Sequence, residues 1–287
     1  MYKNLFTSKT FKRILVKLRE PPKYSSHTSQ EHQIVIDGQT INYIRQGYGN
    51  IPLLCFPGAL GSIWSDFKPQ IEKLDKSKFT IFAWDPPGYG SSRPPLRNVS
   101  KDFYERDADV AVRLMDMIGV KKYSLLGWSD GGVSSLIISA KYPEKINHLI
   151  IWGSNARIMQ EDIDACEKIR DITIWSDKMK SPLIKLYGEN EFQQMWNEWL
   201  DTLNIIFKQG GNICEHLLPS IQCPTLILHG NKDTMIAKEH PYILLKKIKN
   251  AKLHQFAEGK HNIHLRYADE FNEIVTRFIE ENNEKFQ

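Results

Sequence analysis

The chain has no apolar run close to the ~18 residues that a membrane-spanning helix needs, and its mean hydropathy is −0.42. A helical membrane span is therefore not expected. Cysteine is scarce: Cys55, Cys166, Cys214 and Cys223 are far apart, and none belongs to a CxxC pair. That spacing argues against a zinc module and a disulfide framework, and for free thiols in a reducing compartment. Internal repeats and low-complexity tracts are missing too. With 41% hydrophobic and 25% charged residues the composition is ordinary for a globular protein, which removes disorder, collagen and coiled coil as readings of the whole chain.

Charge of one sign is also in short supply, except at one end. The net charge is +4. Lys3, Lys9, Lys12, Arg13, Lys17, Arg19 and Lys23 face a single acid, Glu20, in residues 1–30, so the remainder is slightly acidic. A near-neutral body lacks the basic surface on which nucleic-acid binding depends. Within the basic segment Phe11, Ile14, Leu15 and Leu18 share one helical face, most of the cations lie off it, and Pro21-Pro22 follows. Residues 1–28 thus read as an organelle transit peptide, most simply mitochondrial. The competing reading is a basic tail with no address, which leaves the protein cytoplasmic.

Alternating segments at 33–36 and 39–44 flank Asp37-Gly38, a strong hairpin signal. Short continuous apolar runs follow at 52–56, 79–84, 123–127, 148–153 and 224–229, as strands buried on both faces should read. Helix-like stretches such as 102–118 and 132–142 lie between them. Strand alternating with helix predicts an α/β fold with a mostly parallel central sheet and helices on both faces. From 155 to 219 the alternation stops, and a helix-like stretch carries Trp175, Tyr187, Phe192, Trp196, Trp199 and Phe207. This predicts a core of 29–154 and 220–287 with an inserted helical cap, 155–219, over the crevice at the strand ends. The alternative is that those aromatics form only the insertion's own core.

The strongest chemical signal is Gly127-Trp128-Ser129-Asp130-Gly131, between an apolar strand and a helix-like run. This is G-x-S-x-G in strand–turn–helix context, a nucleophile elbow that lifts the Ser129 hydroxyl above a sheet at a helix N-terminus. A serine needs a base, and the base needs an orienting acid. In elbow hydrolases they follow in the order Ser, acid, His. Asp233 lies just past the strand-like run ending at 229, and His261 just past the one at 252–256, before a last helix at 268–281. His264 is the rival base, three residues on. His229 reads as a structural histidine. The first parallel strand runs into Pro57-Gly58-Ala59-Leu60-Gly61, whose loop supplies one oxyanion amide, placed at Leu60 with Ala59 the alternative. Asp130, after the nucleophile, supplies the other.

The order of elements, with 84–90 (WDPPGYG), 126–132 (LGWSDGG), 211–214 (GNIC) and 259–262 (GKHN), resembles the α/β-hydrolase superfamily. Within it the resemblance is to the valacyclovir hydrolase, or biphenyl hydrolase-like, family, over nearly all of 33–280. That resemblance implies a serine esterase acting on α-amino acid esters, including amino-ester nucleoside prodrugs. It implies the triad Ser129, Asp233 and His261, and a substrate ammonium held by Asp130. A physical reason supports the last role: a fixed carboxylate beside the nucleophile opposes a developing oxyanion, unless the substrate brings a cation to it. The other readings of Asp130 are a solvated acid, or one paired with an arginine. The expected protein is a monomer acting on a small-molecule ester, with no cofactor, metal, nucleic acid or membrane. Two rival functions remain. A carbon–carbon bond hydrolase of the biphenyl-degradation type would use the same triad, but its anionic substrate disagrees with Asp130. A non-catalytic binding protein usually lacks one of the three residues. Epoxide hydrolases and dehalogenases need a carboxylate where Ser129 stands.

Overall fold

The computed structural model describes residues 30–283, so the basic leader expected over 1–28 lies outside the described residues. The strands are β1 Glu31–Ile36, β2 Gln39–Gln46, β3 Ile51–Phe56, β4 Phe79–Trp84, β5 Tyr123–Trp128, β6 Ile146–Trp152, β7 Thr225–Gly230 and β8 Ala251–Phe256. Among the described residues they form a sheet of order β1-β2-β4-β3-β5-β6-β7-β8. β2 pairs antiparallel with β1 and β4, and every pairing from β4 through β3 to β8 is parallel. The Asp37-Gly38 hairpin is present. Ile36 pairs with Gln39, and the two turn residues have φ of 51° and 81°, the positive pair that a two-residue type I′ turn requires.

The helices are α1 Ile63–Asp66, α2 Lys68–Lys73, α3 Phe103–Met117, α4 Asp130–Lys141, α5 Gln160–Glu167, α6 Asp177–Tyr187, α7 Glu189–Lys208, α8 His240–Lys247, α9 Ile263–Arg266 and α10 Ala268–Asn283. Continuous apolar strands are explained by the two cores they separate. Leu54 and Phe56 of β3, Phe82 and Trp84 of β4, and Leu149 and Ile151 of β6 pack on one face with α3, α4 and α8. Their neighbours Leu53, Cys55, Ile81, Ala83, Ile150 and Trp152 pack on the other with α2, α9 and α10. Period-2 alternation therefore delivers apolar side chains to both faces. At the sheet edges exposure rises: β1 alternates exposed and half-buried residues, and β8 exposes Lys252 and Gln255.

Between β6 and β7 lie α5, α6 and α7. The chain leaves the core and returns through a paired neck: Ile158 N–H donates to Gly211 O at 2.7 Å and Ile213 N–H to Ala156 O at 3.1 Å. The insertion has an aromatic core of its own, with Trp175 edge-on to Trp196 at 5.1 Å and Trp196 stacked on Trp199 at 4.8 Å. It also touches the loops at the carboxyl ends of three strands. Tyr187 reaches Leu60 and Gly90, Thr202 reaches Val99, and Trp199 reaches Asp130.

Candidate active site

Ser129 occupies the turn between β5 and α4 with φ 53° and ψ −120°. A left-handed conformation is costly for a residue with a side chain, so the surroundings must over-determine it. They do so at both peptide groups: Ser129 N–H donates to Trp152 O at 3.0 Å, and its carbonyl accepts the Ser154 hydroxyl at 2.9 Å. Gly131 permits the close passage of this turn over β3, because a Cβ there would overlap the Phe56 carbonyl oxygen.

Asp233 and His261 meet behind it. His261 Nδ1 lies 2.8 Å from Asp233 Oδ2, which assigns the ring proton to Nδ1 and leaves Nε2 as the basic nitrogen. The Asp233 side chain is 0% exposed and the His261 side chain 15%. Asp233 Oδ1 accepts the amides of Met235 and Ile236 at 2.8 and 3.2 Å. Burial pushes the Asp233 pKa up, but the His261 charge and these hydrogen bonds outweigh it and hold it below the usual carboxylate range. For His261 burial acts downward, while Asp233, then Asp130 and Asp66, act upward and prevail. The imidazole lies directly over the backbone that follows Trp152, since a Cβ on Gly153 would stand 2.9 Å from its Nδ1 and Cε1. Among the described residues the Ser129 hydroxyl forms no hydrogen bond. Catalytic hydrogen bonds of unliganded enzymes commonly tighten only on the substrate.

His264 sits in α9, not in the crevice. Its Nδ1 accepts the Trp152 indole N–H at 2.8 Å, its ring packs on those of Trp128 and Trp152, and burial drives its pKa to about 3. It is a neutral structural ring. Burial likewise lowers the pKa of His229.

The oxyanion candidates lie in a turn closed by Gly61 N–H donating to Gly58 O at 3.1 Å. Ala59 and Leu60 are its central residues, and Leu60 has φ 57°. The Leu60 carbonyl accepts the Tyr187 hydroxyl at 2.9 Å, and its amide faces the Tyr89 hydroxyl.

Asp130 has two partners that sequence reasoning missed. Oδ1 accepts the Tyr104 hydroxyl of α3 at 2.9 Å, and Oδ2 accepts the Trp199 indole N–H of α7 at 2.7 Å. Both donors are neutral. Arg97 acts on this carboxylate only at a distance, because its guanidinium is committed to Asp107 by bonds of 2.7 and 2.6 Å. Burial raises the Asp130 pKa to about 6 in spite of its two hydrogen bonds. Trp199 was visible in the sequence only as part of an aromatic stretch, and Tyr104 only as one residue of the helix-like stretch 102–118.

A sequence profile described as the alpha/beta hydrolase fold matches residues 51–172. The chain is 46% identical to the serine hydrolase BPHL of Mus musculus over 270 residues, covering 93% of this chain and 92% of that protein. It is 47% identical to the serine hydrolase BPHL of Homo sapiens over 250 residues, 86% of each. Among solved structures, a meta-cleavage product hydrolase from Pseudomonas fluorescens superposes with a TM-score of 0.71 at 21% identity, over 87% of this chain and 97% of that one. That last likeness concerns the fold alone. Nearly half of the residues shared with both mammalian proteins, over almost the whole chain, place this protein among the BPHL serine hydrolases of the α/β-hydrolase fold.

Proposed function

We propose that this serine hydrolase cleaves α-amino acid esters through an acyl-enzyme on Ser129. One observation carries the reading: a carboxylate adjacent to the nucleophile, Asp130, is held by two neutral donors and, among the described residues, has no cation bonded to it. Its surroundings are acidic as well. The buried Asp107 acts on it with the same sign, and Arg97 is the cation that offsets Asp107. A substrate ammonium supplies the missing charge. A carboxylate presents about four lone-pair sites, and two donors leave room for it.

The steps follow from the side chains. His261 Nε2 takes the Ser129 proton as Oγ attacks the ester carbonyl. The carbonyl oxygen becomes an oxyanion, received by the Asp130 amide and by that of Leu60 or Ala59. Asp233 stabilises the imidazolium that forms. His261 then protonates the departing alkoxide, leaving the aminoacyl group on Ser129. Water, deprotonated by the same imidazole, releases the amino acid. The insertion serves as a lid, since Trp199 and Tyr187 reach the two sides of the crevice. A carbon–carbon bond hydrolase would bring an anion to this acidic site, which the Asp130 charge repels.

The test is turnover on matched α-amino, N-acetylated and deaminated esters. A hydrogen bond to a charged group contributes ~1.5–3 kcal/mol, so kcat/KM should favour the amino ester by about ten- to 150-fold. Equal rates on all three would reject amino-ester specificity and leave the serine hydrolase. For residues 1–28 the proposal is mitochondrial import. A chain starting at Ser29 should keep full activity, and a fluorescent reporter fused after residues 1–30 should colocalise with mitochondria. A wholly cytosolic reporter would overturn that address.

A further inference from the structure

Asp66 is a carboxylate buried behind the oxyanion turn, 4% exposed, and no step above uses it. It ends α1, a single helical turn capped by Ser62. Its Oδ2 accepts the Gly58 amide at 3.0 Å. Its Oδ1 accepts the Ser65 hydroxyl at 2.6 Å, and Ser65 Oγ in turn accepts the Ser62 amide at 2.8 Å. Gly61 lies flat against the carboxylate, for a Cβ there would overlap Oδ2. Both ends of the 58–61 turn therefore rest on one side chain. Gly58 also lies against the elbow, since a Cβ on it would stand 3.3 Å from the Ser129 Cβ. A shift at Gly58 moves the Ala59 and Leu60 amides relative to Ser129.

We propose that Asp66 is a positioning residue for catalysis: its carboxylate clamps the oxyanion turn at Gly58 and Gly61, and its charge supports the imidazolium of His261. The inference rests on the reading of Ser129 as nucleophile and of this turn as its oxyanion loop. An amide side chain would accept the Gly58 N–H equally well without the cost of burying a charge. What an acid adds is charge. The ionisable groups that face it are Asp85, from the loop after β4, His261, from the loop after β8, and, at its backbone, His264 of α9. Burial raises the Asp66 pKa to about 7 against the pull of its own hydrogen bonds. Its charge acts on His261 in the same direction as those of Asp233 and Asp130.

Two variants separate the two roles. Asp66→Asn keeps an acceptor for Gly58 and removes the charge. Its kcat should stay within about threefold of wild type on the pH plateau, while the acid limb of kcat/KM moves to lower pH, because one of the charges that raise the His261 pKa is gone. Asp66→Ala removes the acceptor. Loss of a single oxyanion donor costs about 10²–10³ in kcat, and a loosened turn should cost a part of that, about ten- to 100-fold, with KM changed by less than about twofold. A merely structural acid would move neither the acid limb nor the kcat-to-KM split. An acid limb unchanged in Asp66→Asn would overturn the charge role even if Asp66→Ala does not fold. A folded Asp66→Ala with wild-type kcat would overturn the clamp. Stoichiometric labelling of wild-type Ser129 by a fluorophosphonate tests the parent reading separately.

Discussion

Ser129→Ala should abolish covalent labelling by a fluorophosphonate and lower kcat on any ester by several orders of magnitude. Removing the serine of a Ser-His-Asp unit costs on the order of 10⁶ in kcat elsewhere. The expectation here comes from the elbow. The left-handed conformation of Ser129 is held at both of its peptide groups, by Trp152 and by Ser154. Such strain persists only where the surrounding structure supports it. Alanine keeps the backbone, the oxyanion amides and the His261–Asp233 pair, so a residual rate of about 10³–10⁴ over water is compatible with the assignment. The measurement is labelling followed by peptide mapping, with kcat on a chromogenic ester and a thermal melt to show that the variant folds. A folded Ser129→Ala that still labels and turns over ester near the wild-type rate would place the nucleophile elsewhere.

The parts of this molecule written in the sequence are those whose signals are local. Asp37-Gly38 announces its hairpin because only certain residues take two successive positive φ angles. The run at 79–84 reads as a doubly buried strand because β4 has no solvent face, and its bounds agree with Phe79–Trp84. The strand–elbow–helix around Ser129 is local too, and the order Ser, Asp, His follows from each residue standing just after a strand. The choice between His261 and His264 was weaker in the sequence, because they are only three residues apart. It is decided by long-range contacts: Asp233 bonds one ring and the Trp152 indole bonds the other.

What surrounds the site was not legible. Tyr104 and Trp199 come to Asp130 from helices 26 and 69 residues away in sequence, and Tyr187 comes to Leu60 across 127. No spacing rule links such pairs, and each residue also fits an apolar helix face. Asp66 was equally silent: an acid between Ser65 and Phe67 carries no mark that it will be buried. Helices α1 and α9 have four residues each, too short for a periodic pattern to be read. The insertion shows the difficulty most clearly. Trp196 and Trp199 stack as its core would require, so the aromatic load predicts a core, yet the indole N–H of Trp199 also serves the site.

Asp130→Asn should reduce kcat/KM on α-amino esters by about ten- to 150-fold, the range for one hydrogen bond to a charged group, and leave the deaminated ester equal or faster. Asparagine keeps the backbone amide that faces the oxyanion. It also keeps one side-chain acceptor for Tyr104 or Trp199, so the elbow stays intact. What goes is the charge, with two consequences of opposite sign. The amino ester loses its partner. Every ester gains, because the carboxylate no longer opposes the oxyanion. The pH profile separates them. On the proposed reading, the wild-type reaction of the amino ester needs Asp130 ionised, above its pKa of about 6, His261 neutral, above a pKa that Asp233 and Asp130 raise, and its own amine protonated. An α-amino group titrates at ~7.7–8, so the wild-type profile is a narrow bell, and its alkaline limb belongs to the substrate. The deaminated ester should show no such limb. In Asp130→Asn the acid limb on the deaminated ester should move to lower pH, because a charge that raises the His261 pKa has been removed. The decisive measurement is kcat/KM against pH for the matched pair of esters in both proteins. Equal losses on the two substrates, with an unshifted acid limb, would show that Asp130 serves the structure of the elbow through Tyr104 and Trp199 and does not select the substrate.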